Sequence, residues 1–143
     1  MRLKNFLRSF VLLFFIFSVN SADISNQEKE NEKLRYLQKV QGAANILAGV
    51  TLFCDPLESA QFIAAEALFL LSADLFHLCA ADLENEETKK KAISHLKSAA
   101  LNATAVYSIL YGAAEYYLVC DPKYIYFGSM LLIGAGVNTL LHS

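Results

Sequence analysis

The chain has 143 residues, of which 55% are hydrophobic and 18% charged, with a net charge of −2, three cysteines and no tryptophan. That length accommodates one domain, and a mildly acidic chain lacks the basic patch that nucleic-acid binding requires. The one basic run, Lys89-Lys90-Lys91, follows Glu84, Glu86 and Glu87 and reads as a solvated, self-neutralised helix start.

The N-terminus reads as a secretory leader. Arg2, Lys4 and Arg8 form a basic segment, Val11 to Phe17 is unbroken apolar sequence, and Val19-Asn20-Ser21-Ala22 supplies small residues for cleavage. The apolar run from Phe10 to Val19 is shorter than the roughly 20 residues a spanning helix needs. Residues 1–21 are therefore expected as a cleaved signal peptide, the mature chain starting at Ala22 or Asp23, and the protein is expected to be exported. Residues 22–143 form the domain.

Ser25-Asn26-Gln27-Glu28 fits a capping box that starts a first helix. Leu37, Val40, Ala44, Leu47 and Thr51 recur at three- and four-residue steps and carry it towards Phe53. The unit Phe53-Cys54-Asp55-Pro56 then stops it, because a residue before proline avoids the α region. Asp55 can cap the next helix, Pro56 suits its first position, and Glu58 places negative charge beside exposed amides.

The second helix runs to about Leu83, and Asn85-Glu86-Glu87 opens a third. In that third helix Ile93, Leu96, Ala100, Ala103, Tyr107, Leu110, Ala114 and Tyr117 follow a strict 3,4 alternation, the spacing of a seam that packs into a neighbouring helix. Tyr107 and Leu110 are expected at the centre of the core, with Asn102 on the opposite, exposed face. Val119-Cys120-Asp121-Pro122 repeats the earlier unit, and a fourth helix covers Lys123 to about Leu141. Leu75-Phe76-His77 is loosely echoed by Leu140-Leu141-His142, as in an approximate duplication.

No alternating β-branched segments or Asn-Gly turns appear. The expected fold is all-α: a four-helix up-down bundle made of two helical hairpins, about 25–83 and 86–142.

Helices two to four are apolar enough to raise a membrane reading. Tyr107, Tyr111, Tyr116, Tyr117, Tyr124 and Tyr126 flank the second turn as an interfacial belt would. Against it, Glu58, Glu66, Asp74 and Asp82 are spread around helix two, which would put acids at membrane depth. The apolar part of helix one, from Val40 to Cys54, is short and includes Gln41 and Asn45. With a cleaved leader, Lys89-Lys90-Lys91 would also fall on the non-cytoplasmic side, against the positive-inside rule. A bundle free in water or surface-associated is favoured, with a membrane-inserted hairpin from about Ala99 to Leu141 as the alternative.

Chemistry-bearing patterns are sparse. Asp74-x-x-His77 is half of a bundle metal site, but helix four has no acid and His95 has none three residues before it. The pair is expected as a surface or capped Asp-His pair. Glu115 is expected to face solvent opposite the Ala114/Tyr117 side. Gly134-Ala135-Gly136 and Ala44-x-x-x-Ala48 read as small-residue packing faces, and Asn102-Ala103-Thr104 as a sequon placed mid-helix. No catalytic residue, cofactor or metal is implied. With an up-down topology Cys54 and Cys120 share one end and Cys79 lies near the other. The export route would oxidise the first two to a disulfide, leaving Cys79 reduced and buried. The function expected is a binding or structural module, meeting another protein or a second copy of itself.

Overall fold

A computed structural model describes residues 27–81, 83–119 and 121–143. The expected signal peptide, Ser25 of the capping box and Cys120 lie outside the described residues. Within them the chain is all-helical, without strands: α1 (Gln27–Cys54), α2 (Pro56–Ala80), α3 (Glu86–Val119) and α4 (Lys123–Leu141).

The breaks fall where backbone chemistry demands. Asp55 leaves the α region (φ −142°, ψ 75°), and its side chain accepts the Glu58 amide while Pro56 opens α2, as its missing N–H and fixed φ favour. The Asn85 carboxamide oxygen accepts the Glu87 amide at 2.9 Å, and Asp121 accepts that of Lys123 at 3.1 Å. The two Asp-Pro units are not equivalent, because Pro122 stands before α4 where Pro56 lies inside α2. α2 ends three residues earlier than the expected Leu83, at Ala80, where Ala81 turns to extended backbone and donates its N–H to Leu78.

The helices run up-down-up-down in a ring, each packed on its two neighbours, with few contacts across the diagonal between α2 and α4. The hairpin from α1 to α2 is the least intimate pairing, whereas α4 packs extensively on both α1 and α3. Phe53 at the end of α1 meets Tyr126 at the start of α4, ring centroids 5.3 Å apart. The two Asp-Pro turns therefore share one end, here the tip. The α2–α3 connection lies at the other, the base.

Close approach to α4 depends on glycines. A Cβ on Gly136 would lie 2.5 Å from the Gly42 carbonyl oxygen, and one on Gly49 would lie 2.7 Å from that of Ser129. Ala44, Ala48, Ala135 and Gly136 are buried, as the small-residue patterns imply. Gly134 differs, since a Cβ there would meet nothing within 4 Å.

Candidate functional site: a polar hub inside an apolar shell

α3 carries two faces with the same heptad spacing and opposite composition. His95, Ser98, Asn102, Ala105, Ile109 and Gly112 recur at steps of 3, 4, 3, 4, 3 and are all buried. The apolar seam expected to form the core points the other way: Tyr107 is 69% exposed, Leu110 51% and Tyr117 85%. Asn102, expected outside, is fully buried. Periodicity identifies residues that share a face, not the medium that the face meets, so the spacing alone does not say which face is the core.

Asp74 is the centre of the interior. It has no exposed surface, and its carboxylate collects donors from two other helices. Oδ1 accepts from Gln41 Nε2 of α1 at 2.9 Å and faces His95 Nδ1 of α3 at 3.0 Å. Oδ2 accepts from Asn102 Nδ2 of α3 at 3.2 Å. A buried carboxylate without such partners would be strongly unfavourable, so the hub ties α1, α2 and α3 together at one level.

The other side of His95 meets α1. Gln38 Nε2 lies 3.0 Å from His95 Nε2, and an amide nitrogen only donates. With the Gln38 amide in this orientation, Nε2 accepts and Nδ1–H is donated to Asp74. His77 stacks on it, ring centroids 4.7 Å apart and planes 20° from parallel. Asp74 and His77 are therefore not the surface pair their spacing suggested. Asp74 bonds the histidine of the next helix, and His77 shields that histidine's ring.

Polar contacts continue onto α4. Ser98 Oγ and Thr139 Oγ1 are 2.9 Å apart, and Asn138 Nδ2 donates to Ser98 Oγ at 2.9 Å and to the Ser94 carbonyl at 3.0 Å. Towards the tip the interior becomes apolar, with Leu52, Ile63, Ile109, Ile125 and Leu132 in one buried cluster. Glu66 of α2 is buried too, and its Oε2 has no hydrogen-bond partner. Glu115, expected in solvent, is half-buried with its Oε2 likewise unpartnered.

Outside, the arrangement inverts. No exposed Asp, Glu, Lys or Arg occurs in residues 40–54 of α1, 59–79 of α2, 98–119 of α3 or 124–141 of α4. Leu47, Val50, Leu68, Leu75, Leu110, Phe127, Met130 and Val137 are among the exposed side chains there. Charge gathers beyond the band. At the base Lys91 pairs with Glu87 at 3.2 Å, and at the tip Lys123 lies 5.1 Å from the Tyr124 ring centroid. Tyr111 meets Tyr124 edge-on at 5.0 Å in the same tip region.

Cys54 is a free, exposed thiol in the last turn of α1, and no disulfide forms among the described residues. The expected Cys54–Cys120 bridge is therefore not seen, Cys120 lying outside them. Cys79 is exposed rather than buried, because it falls on the outward side of the final turn of α2.

Compared with protein-family models, with curated proteins and with solved structures, the chain matches none. Its functional reading rests on this geometry.

Proposed function

We propose that this chain is an exported, membrane-embedded four-helix bundle acting as a structural or interaction module, with lipid against its apolar outer band and the Asp74 hub holding the helices together inside. The observation that carries the reading is the reversed α3: apolar residues at heptad spacing outside, Ser, His and Asn at the same spacing inside.

In water that arrangement would leave the apolar seam of α3 in solvent, against the main driving force for folding, the removal of apolar surface from water. In a bilayer it is the expected one, since lipid solvates Leu and Tyr as well as a neighbouring helix would. Association there relies on small residues and interhelical hydrogen bonds. The Gly42–Gly136 approach and the Ser98–Thr139 contact are of that kind.

Dimensions support the same reading. At about 1.5 Å rise per residue, the segments free of exposed charge measure about 22 Å in α1 and about 27–33 Å in the other three, against a hydrocarbon core of about 30 Å. Lys39 bounds the shortest, and a lysine there can extend along the helix to reach the headgroups. Two helices, over Pro56–Cys79 and Lys123–Leu141, are long and apolar enough to cross a membrane by themselves. Glu66 and Asp74, which opposed spanning when read as lipid-facing acids, turn inward. Lys89, Lys90 and Lys91 sit beyond the band, where they bear on which way the bundle points and not on whether it is embedded.

The hub supports a non-enzymatic role. Asp74 and His95 make the acid–imidazole pair that activates nucleophiles elsewhere, but the far imidazole nitrogen faces the Gln38 amide instead of a hydroxyl or thiol.

Alkaline carbonate washing of membranes from cells expressing the full chain tests the proposal. The protein should stay in the pellet and enter solution only with detergent. Recovery in the wash as a compact soluble oligomer would contradict it and favour a second copy, or another protein, as the cover of the band.

A further inference from the structure

Asn45 and Asn102 carry no exposed surface. Yet both polar atoms of the Asn45 amide and the carboxamide oxygen of Asn102 lack a hydrogen-bond partner. Native proteins rarely leave such atoms orphaned, since each costs its full desolvation.

Their placement converges. Asn45 lies one turn beyond Gln41 on the same face of α1, and Gln41 holds Asp74 Oδ1. A Cβ on Gly136 would come within 3.0 Å of the Asn45 Cβ, so Asn45 stands at the contact between α1 and α4. Asn102 is tethered to Asp74 Oδ2 through its own Nδ2, which keeps its free oxygen beside that carboxylate. Gln38 of α1 meets His95 of α3, and Asn45 and Asn102 each lie seven residues further towards the tip on those two helices, so the two amides sit in one layer of the interior, on the tip side of the Gln38–His95 contact. Past them, towards the tip, Ala48, Leu52, Ala105 and Ile109 close the interior.

We infer that this layer is a binding site for a monovalent alkali cation, held by Asn45 Oδ1, Asn102 Oδ1 and Asp74 Oδ2. Three oxygens without nitrogen or sulfur suit a hard cation. A single carboxylate matches one positive charge, whereas a divalent ion generally recruits more. Among the described residues no three His, Cys, Asp or Glu side chains are grouped to hold a metal, which argues against a transition-metal site. The donors bonded to Asp74 from α1 and from Asn102 are neutral amides, so a cation beside Oδ2 adds positive charge where a buried carboxylate calls for it. The inference concerns the interior and does not depend on what covers the outside.

Thermal unfolding of the full-length protein in detergent micelles, with sodium replacing choline at constant ionic strength, tests it. A ligand that binds only the folded state raises the midpoint with concentration. The wild type should gain several degrees as sodium rises, Asn45→Ala and Asp74→Asn should show no gain, and Glu66→Gln, a buried acid outside the layer, should keep it. Asn45→Ser, the gentler change, should respond weakly even if the other two variants fail to fold. Equal midpoints in sodium and choline for the wild type, as buried water alone would give, overturn the inference. So does a full response in Asn45→Ala. A flat response from protein that survives the carbonate wash overturns the cation site alone, and a sodium response from protein the wash releases overturns the bilayer reading alone.

Discussion

The two faces of α3 share the same 3,4 spacing and differ in what they touch. The inner face, His95, Ser98, Asn102, Ala105, Ile109 and Gly112, is small or hydrogen-bonding except at Ile109; the outer, from Ile93 to Tyr117, is aliphatic and aromatic. In a water-soluble bundle the stickier face goes inside. Here it stays outside, and helix association rests on close backbone approach and polar ties, so perturbing the inner face should be costly and perturbing the outer face cheap.

The largest effect belongs to Asp74. Asp74→Ala leaves Gln41, Asn102 and His95 without their shared acceptor and should cost about 3–5 kcal/mol, the range for breaking a buried, hydrogen-bonded charge site, measured by unfolding in micelles. A cost near zero would mean that the hub does not hold α1, α2 and α3 together.

Next comes the α1–α4 contact. Gly136→Val puts side-chain atoms where a bare Cβ already lies 2.5 Å from the Gly42 carbonyl oxygen, and should destabilise by about 1–3 kcal/mol through forced separation. Gly134→Ala, with open space around it, should be neutral or gain up to about 1 kcal/mol in helix propensity. Similar losses at both positions would place the close approach elsewhere.

The smallest effect sharpens the comparison most. Leu110→Ala on the outer face should change stability in micelles by less than about 0.5 kcal/mol, as for a surface site. Were the seam a packed core, the same change would leave a cavity and cost about 2–5 kcal/mol.

The local events were legible in the sequence: Asp55-Pro56 capping and opening α2, Asn85 starting α3, and Asp121-Pro122 separating α3 from α4, all set by backbone chemistry within a few residues. The count of four helices and their alternation followed. Orientation did not, because Ile93 to Tyr117 and His95 to Gly112 are both regular seams on one helix, and choosing the more apolar one assumes water outside. A usable signal was present: Ser98, Asn102 and Gly112 fall on one stripe, as do Gly128, Ser129, Ala135 and Gly136 on α4, and small polar stripes mark helix contacts in lipid. The hub was hidden for another reason. Asp74 and His95 lie on different helices, and their meeting depends on the register of α2 against α3, which no spacing within either helix reveals.

The central claim, lipid against the outer band, can be read directly because the chain contains no tryptophan. A single Leu110→Trp, midway along the exposed seam, becomes the sole indole in the protein. In vesicles whose acyl chains carry bromine near their midpoints, its emission should be blue-shifted and strongly quenched relative to unbrominated lipid. Red-shifted emission that bromine leaves unchanged would place Leu110 in water or against protein and contradict the account.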